Sequence, residues 1–287
     1  MTVRPNAKVL GPKICFLFAS RVATRRKTPR VGPFPRIFLL SPANSGGERA
    51  ALLLRPQASF PLAVQLRSPH GASLADVFTF SSGLYFRGKR AYAERFAAPP
   101  RGVPPACVIT PGFGLVPLDA RVRAEDLRAF AQIPIDERDP RYRVPLERDA
   151  RALVPYLGRS GRVVLLGSVA SAKYTRILLD VFGARLLFPP SFVGRGDMSR
   201  GGLLLRCAAS GLELEYAPVQ GAVVHGPRPP KLQRLPRRPE PPSQPLEVPT
   251  GVPPRDPLRA RKPAIKRAPR SNPPGSSPSP PSRRSDR

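Results

Sequence analysis

Three short and almost wholly apolar runs constrain this chain more than anything else in it: Ile37-Phe38-Leu39-Leu40, Ala106 to Thr110, and Val163-Val164-Leu165-Leu166. Each is too short for an ordinary helix and lacks the alternation of a strand with one wet face, so each is expected to be a strand buried on both sides. Each also runs into turn-forming residues: Ser41-Pro42 and Gly46-Gly47, Pro111 to Gly114, and Gly167-Ser168. Between these runs, apolar residues recur at helical spacing. They do so at Leu74, Val77 and Phe78; over Leu84 to Phe96, which is amphipathic and basic; around Ala124 to Ala131; at Leu146, Ala150, Leu153 and Leu157; and from Tyr174 through Val181 to a terminating Gly183. Strands alternating with helices set the expected fold class: α/β, a single domain with a mixed, partly parallel sheet flanked by helices. A short strand at Arg185 to Phe188, a glycine-rich loop at Gly194 to Gly202, and a hairpin of Leu203–Cys207 with Leu212–Val219 complete the expected order.

Charge divides the chain. Its 287 residues carry a formal net charge of +29. Residues 1–36 hold nine basic and no acidic residues, and residues 227–287 hold fifteen basic and four acidic ones, leaving 24 basic and 15 acidic in 37–225. The last segment also holds 19 of the 41 prolines, so it cannot bury enough apolar surface to offset its chain entropy. The expected organisation is therefore a basic irregular N-terminal extension (1–36), an α/β domain (37–226) and a disordered Pro/Arg-rich tail (227–287). An Arg-rich, acid-free start is also the composition of an organellar presequence, set here against the plainer reading of an arm. The charge favours a polyanionic partner, nucleic acid with DNA ahead of RNA. A GC-rich coding bias toward Arg would inflate the total without removing the excess in 37–225.

Several classes fall away. No apolar run approaches the roughly 20 residues that cross a bilayer, so no membrane partner is expected. Cys15, Cys107 and Cys207 form no C-x-x-C pair, which suits a reducing, cytoplasmic setting. With only His70 and His225, neither a zinc site nor a Ser-His-Asp triad has enough to draw on. Neither a P-loop nor a G-x-G-x-x-G is present, so no cofactor is expected.

In an open α/β sheet, functional groups collect where strand C-terminal ends meet helix N-termini, since exposed N–H groups and the helix dipole attract anions there. Ser41 to Gly47, Pro111 to Asp119 and Gly167 to Tyr174 fit that description. The last offers the hydroxyls of Ser168 and Ser171 and the cation of Lys173, although a plain N-cap and a solvated lysine explain Ser168 and Lys173 equally well. In Gly194 to Gly202 four glycines permit close backbone approach, and Arg195 and Arg200 supply planar donor forks for phosphate or carboxylate. Arg87, Lys89, Arg90 and Arg95 mark a candidate nucleic-acid face on the helix Leu84 to Phe96.

The order of these motifs carries a resemblance. LLSPAN (Leu39 to Asn44), a G-L-Y stretch (Gly83 to Tyr85), GFGLVPLD (Gly112 to Asp119), a strand-to-helix turn ending in Lys173-Tyr174, and GRGDMSR (Gly194 to Arg200) follow one another as in the YaaA family of bacterial peroxide-stress proteins, which the chain resembles over roughly residues 37 to 205. Asn44 stands where the family has lysine, Gly194 replaces alanine, Asp197 replaces an apolar residue, and the stretch after Arg200 reads as strand where the family has helix. The G-L-Y segment also resembles domains thought to share a uracil-glycosylase-like scaffold. The resemblance implies DNA binding and a role in limiting oxidative DNA damage, and it carries over no catalytic residue. Two functions are therefore expected. One is a binding module working through phosphates. The other is an enzyme on nucleobases or nucleotides, with Ser41, Asn44, Tyr85, Ser168, Lys173, Tyr174, Arg195, Ser199 and Arg200 binding, and Asp119 or Asp197 as general acid or base.

Overall fold

A computed structural model describes residues 34–232 of the chain. The disorder expected for 1–36 and 227–287 falls, except at residues 34–36 and 227–232, outside the described residues.

The three apolar runs are strands and lie side by side. β1 (Arg36–Leu40) pairs in parallel with β3 (Ala106–Thr110) on one flank and with β6 (Arg162–Leu166) on the other. Along them, Phe38, Leu40, Val108 and Val164 enter one core layer, while Ile37, Leu39, Ile109 and Val163 enter the other. Both faces are covered, which is why the sequence shows no polar alternation. β7 (Leu186–Phe188) continues the sheet in parallel beyond β6, and β4 (Gly114–Pro117) and β8 (Ala217–Pro218) close its edges in antiparallel, giving the order β4-β3-β1-β6-β7-β8. A two-stranded ribbon, β2 (Ala72–Ser73) with β5 (Arg121–Val122), lies apart from it. The domain is thus α/β with a mixed sheet, as expected.

Helices α1 (Glu48–Leu54), α2 (Pro61–Arg67), α3 (Leu74–Ser82), α4 (Leu84–Phe96), α5 (Ala124–Gln132) and α8 (Asp197–Ser210) pack on the Phe38 face. The opposite face is covered by α6 (Pro140–Leu157) and α7 (Ala172–Phe182). Helices α1 and α2 are too short for a helical period to register in the sequence. α6 starts six residues before Leu146, because Asp139 caps it by accepting the N–H of Arg141 at 2.9 Å and Pro140 suits its first turn. Pro145 lies inside it and had masked the start.

The expected hairpin does not form. Leu203 to Cys207 belong to α8, and Gly211, left-handed at φ 73°, ends that helix. Residues 197–210 contain no β-branched residue, so helix propensity prevails over the three-leucine run that suggested a strand. After α8 the chain is pinned rather than paired: Tyr92 accepts the N–H of Leu214 at 2.8 Å, and Arg36 meets Glu213 at 2.8 Å. The domain also extends beyond 226. Arg195 donates to the carbonyl of Pro230 at 3.4 Å, and the Leu232 side chain lies 3.5 Å from where a Cβ on Gly202 would stand.

Helices α4 and α8 run side by side in the same direction, and they touch through glycine. A Cβ on Gly88 would lie 2.6 Å from the carbonyl oxygen of Gly201, and one on Gly201 would lie 2.8 Å from the Tyr85 Cα. Only hydrogen at both positions lets the two backbones come this close. Gly202, one residue on, would meet nothing nearer than 3.5 Å. Gly202→Ala should therefore stabilise the fold by up to about 1 kcal/mol, the helix propensity gain, whereas Gly201→Ala should destabilise it by about 1–2 kcal/mol despite that gain. Urea unfolding of the two variants beside the parent checks the sign at each position.

Candidate functional site

The loop after β1 leads to helices on one face of the sheet, while the loop after β6 leads to α7 on the other. Strands β1 and β6 are neighbours, so their carboxyl ends meet at the topological switch point, the place where the ligand crevice of an open α/β sheet lies. Ser41 stands at one lip and Gly167-Ser168 at the other: the Ser41 N–H donates to the Leu166 carbonyl at 3.2 Å, and a Cβ on Gly167 would lie 3.0 Å from that of Ser41.

Lys89 lies buried beneath this point. The sequence reading put it on an exposed basic face with Arg87, Arg90 and Arg95, and that placement is corrected: Lys89 is 1% exposed. It sits within the buried stripe of α4, with Tyr85, Phe86, Tyr92 and Ala93 around it. Its ammonium donates to the carbonyl oxygen of Ser41 at 2.5 Å and to the Ser41 Oγ at 2.9 Å, and it lies 4.4 Å from the centre of the Tyr85 ring and 4.9 Å from that of Phe86. The Ser41 hydroxyl in turn donates to Leu166 at 3.4 Å, so one amine ties α4 to the ends of β1 and β6. Burial drives the lysine down to about 7; the Asp197 carboxylate opposes this shift and the Arg200 guanidinium adds to it.

The first turn of α8 brings Asp197 and Arg200 to the same place. Tyr85 and Tyr174 are both buried, and burial pushes both phenols above the usual tyrosine range. Tyr85 is held back partly by the nearby Arg200, and Tyr174 is raised further by Tyr85 and Asp197. Ser41, Tyr85, Lys89, Tyr174, Asp197 and Arg200 therefore share one electrostatic environment. The Tyr85 hydroxyl is fully enclosed beside the Arg200 guanidinium, its one polar neighbour from α8, although the two do not meet in ordinary hydrogen-bond geometry.

Other candidates lie elsewhere or have other work. β4 runs back along β3, pairing Pro117 with Cys107, so Asp119 emerges at the far end of the sheet and is corrected out of the site. It acts there on Cys107, whose thiol burial pushes up to about 12, with Asp149 and Asp119 adding to the shift. Arg195 donates to the Ser191 carbonyl at 3.0 Å and to the Ser199 Oγ at 3.2 Å, so both residues staple the loop that leads into α8. Arg200 shares that duty through the Phe192 carbonyl, at 3.1 and 3.2 Å, and meets Asp197 at 3.5 Å. Ser168 is half-buried in the turn before α7, and Lys173, in the first turn of that helix, lies 5.2 Å from the centre of the Tyr174 ring. Asn44 is exposed. On α4, Arg90 is paired with Asp76 and Glu94, Arg95 reaches the C-terminal end of α8 beside Gly211, and Arg87 is exposed.

Fold and site together define a doubly wound α/β domain with a buried polar cluster at its switch point. No protein-family model, curated protein or solved structure matches the chain. Among the described residues, no helix is long and apolar enough to cross a membrane, and no cluster of His, Cys, Asp or Glu could hold a metal ion.

Two outcomes follow from the site. The unfolded chain holds the Lys89 proton up to the ordinary lysine range, while the folded chain releases it near pH 7. Unfolded molecules therefore bind more protons above pH 7, and stability rises with pH there by up to about 1.4 kcal/mol per unit. Above about pH 9 the raised Cys107 thiol opposes this trend, so the window is pH 7 to 9. The stability of the parent minus that of Lys89→Met, from urea unfolding at each pH, should climb across the window; a flat difference would contradict the buried amine. Tyr85→Phe removes an enclosed hydroxyl that makes no hydrogen bond of ordinary geometry, its neighbour Arg200 being held instead by the Phe192 carbonyl, and should leave stability unchanged or raise it by about 1 kcal/mol. A loss of stability on calorimetric melting would mean that the hydroxyl is a structural bond.

Proposed function

We propose that the chain is a nucleic-acid-binding protein of YaaA-like type, with DNA ahead of RNA, and that the switch-point crevice holds one nucleotide unit of that partner. The observation that carries this reading is the convergence of Tyr85, Lys89, Tyr174 and Arg200 at the switch point, with Asp197 beside them. Preorganised cationic and hydroxyl donors suit a phosphate or a polar base edge. Three further points support it. Residues 37–225 carry an excess of basic residues, the motif segments carrying Ser41, Tyr85, Tyr174 and Asp197 meet at this one place, and α8 supplies helix after Arg200, where the family pattern has helix. By the same resemblance, the cellular role is protection during oxidative or DNA-damage stress.

A second reading, an enzyme acting on nucleobases or nucleotides, is favoured by one specific observation. An amine lowered to about 7 can change protonation state at neutral pH, and Asp197 could exchange a proton with a bound substrate.

Fluorescence anisotropy of the full-length chain with a labelled duplex tests the first reading. If about six phosphates are contacted, log K should fall against log salt with a slope of about −5, and Tyr85→Phe should weaken binding several-fold at constant salt. Absence of binding at low salt defeats it. Release of free base from intact and oxidised duplexes, abolished by Asp197→Asn, is the outcome expected of the enzyme.

A further inference from the structure

After β8 the chain returns to the helix that carries Asp197 and Arg200, and residues 227–232 lie against its start as a strap. Two glycines seat it. A Cβ on Gly194 would collide with the carbonyl oxygen of Pro227 and stand 3.0 Å from the Pro229 Cδ, and the backbone there is left-handed at φ 69°. At the other seat the Leu232 side chain faces Gly202, 3.5 Å from where a Cβ would be. Arg195, itself bonded to Ser191 and Ser199, donates to the Pro230 carbonyl at 3.4 Å and so holds the strap between the two seats. Gly201 and Gly202 thus serve different neighbours. The first lets α8 close on α4, and the second leaves room for the strap.

Three of the six strap residues are proline, so little chain entropy is left to lose on docking. An extended proline-rich chain turns once in about three residues, which puts residues three apart on one edge. Exposure follows that period: Pro229 and Leu232 are half-buried, while Arg228 and Lys231 are exposed. At about 3.1 Å per residue, the two cations stand about 9 Å apart on the outer edge. Neither meets a carboxylate among the described residues.

Two cations on a docked, stiff backbone differ from two on a free chain, because their positions are set before a ligand arrives and binding costs less ordering. A small anion would call for donors that converge on one point. Cations in a row along an edge match instead the repeating single charges of a phosphodiester backbone. Arg228 and Lys231 are also the first of the fifteen basic residues in 227–287, so the strap fixes where that basic segment leaves the domain, beside the first turns of α8.

We infer that the strap is the outer rail of the nucleic-acid surface: seated on Gly194 and Gly202, it holds Arg228 and Lys231 against backbone phosphates of the strand that reaches the switch point. The identity of the partner rests on the nucleic-acid reading above; the docking of the strap rests on the glycine contacts alone.

Fluorescence anisotropy of the full-length chain with a labelled duplex, beside limited tryptic cleavage, separates the two. Arg228→Ala with Lys231→Ala should weaken duplex binding several-fold and flatten the slope of log K against log salt by about 2. Arg283→Ala with Arg284→Ala removes the same charge from the far end of the chain and should do less than half as much. Gly202→Gln keeps every charge and puts a long side chain into the Leu232 seat. It should weaken binding several-fold and speed tryptic cleavage after Lys231 by about tenfold, with unchanged melting. Binding indifferent to the first pair, equal losses from the two pairs, or cleavage indifferent to Gly202→Gln overturns the inference and leaves the nucleic-acid reading standing. A parent that binds no duplex at low salt removes both.

Discussion

The contact of Gly88 with Gly201 sets the geometry on which the site depends. It brings the backbones of α4 and α8 close enough for the Gly201 carbonyl and the Tyr85 Cα to sit where any larger residue would place its side chain. Held this near, the first turn of α8 puts Asp197 and Arg200 beside Tyr85 and Lys89 of α4. A side chain at either glycine would push the helices apart and remove the charges of α8 from the crevice. Arg195 and Arg200 then fix the loop that leads into α8 by bonding its carbonyls, so the approach of the helix and the path of the loop reinforce each other.

Lys89 completes the arrangement from the other side. Pro42 has no N–H, and Ser41 lies at the strand end, where its carbonyl must find a donor away from the ladder. The buried amine supplies one and reaches the Ser41 hydroxyl as well, which joins the helix layer to the two central strands. The same burial lowers its proton affinity, so the group that anchors the fold also sets the charge under the crevice near neutral pH. Structure and chemistry share one side chain here, which makes the pH dependence of stability a direct report on the state of the site.

Much of this was legible in the sequence, for identifiable reasons. The runs at Ile37, Ala106 and Val163 could be little else than doubly buried strands, and they fixed both the α/β class and the edge at which Ser41, Tyr174 and Asp197 meet. Lys89 was misplaced because a charge pattern counts lysine as polar, whereas its position i+4 from Tyr85 and three residues before Tyr92 marks it as part of the buried stripe. Asp119 was misplaced because the strand after Gly114 is short and turns the chain back along β3, a reversal that a G-x-L-x-P-L-D reading treats as one turn. The helix at Asp197 was hidden by Leu203-Leu204-Leu205, although only Leu204 of the three is fully buried. The glycine contact itself could not be read at all, since it depends on two residues more than a hundred positions apart.

The central claim is that the ends of β1 and β6, together with the first turns of α4, α7 and α8, form the surface that meets nucleic acid. Backbone amide shifts of the isotope-labelled full-length chain, followed by NMR during titration with a short single-stranded oligonucleotide, test it most directly. The expected result is a contiguous set of saturable shifts at Ser41 to Ser45, Tyr85, Lys89, Ser168 to Tyr174 and Asp197 to Arg200. Saturable shifts confined to the opposite end of the sheet, around Asp119 and Glu213, with the switch-point residues unmoved, would contradict the account.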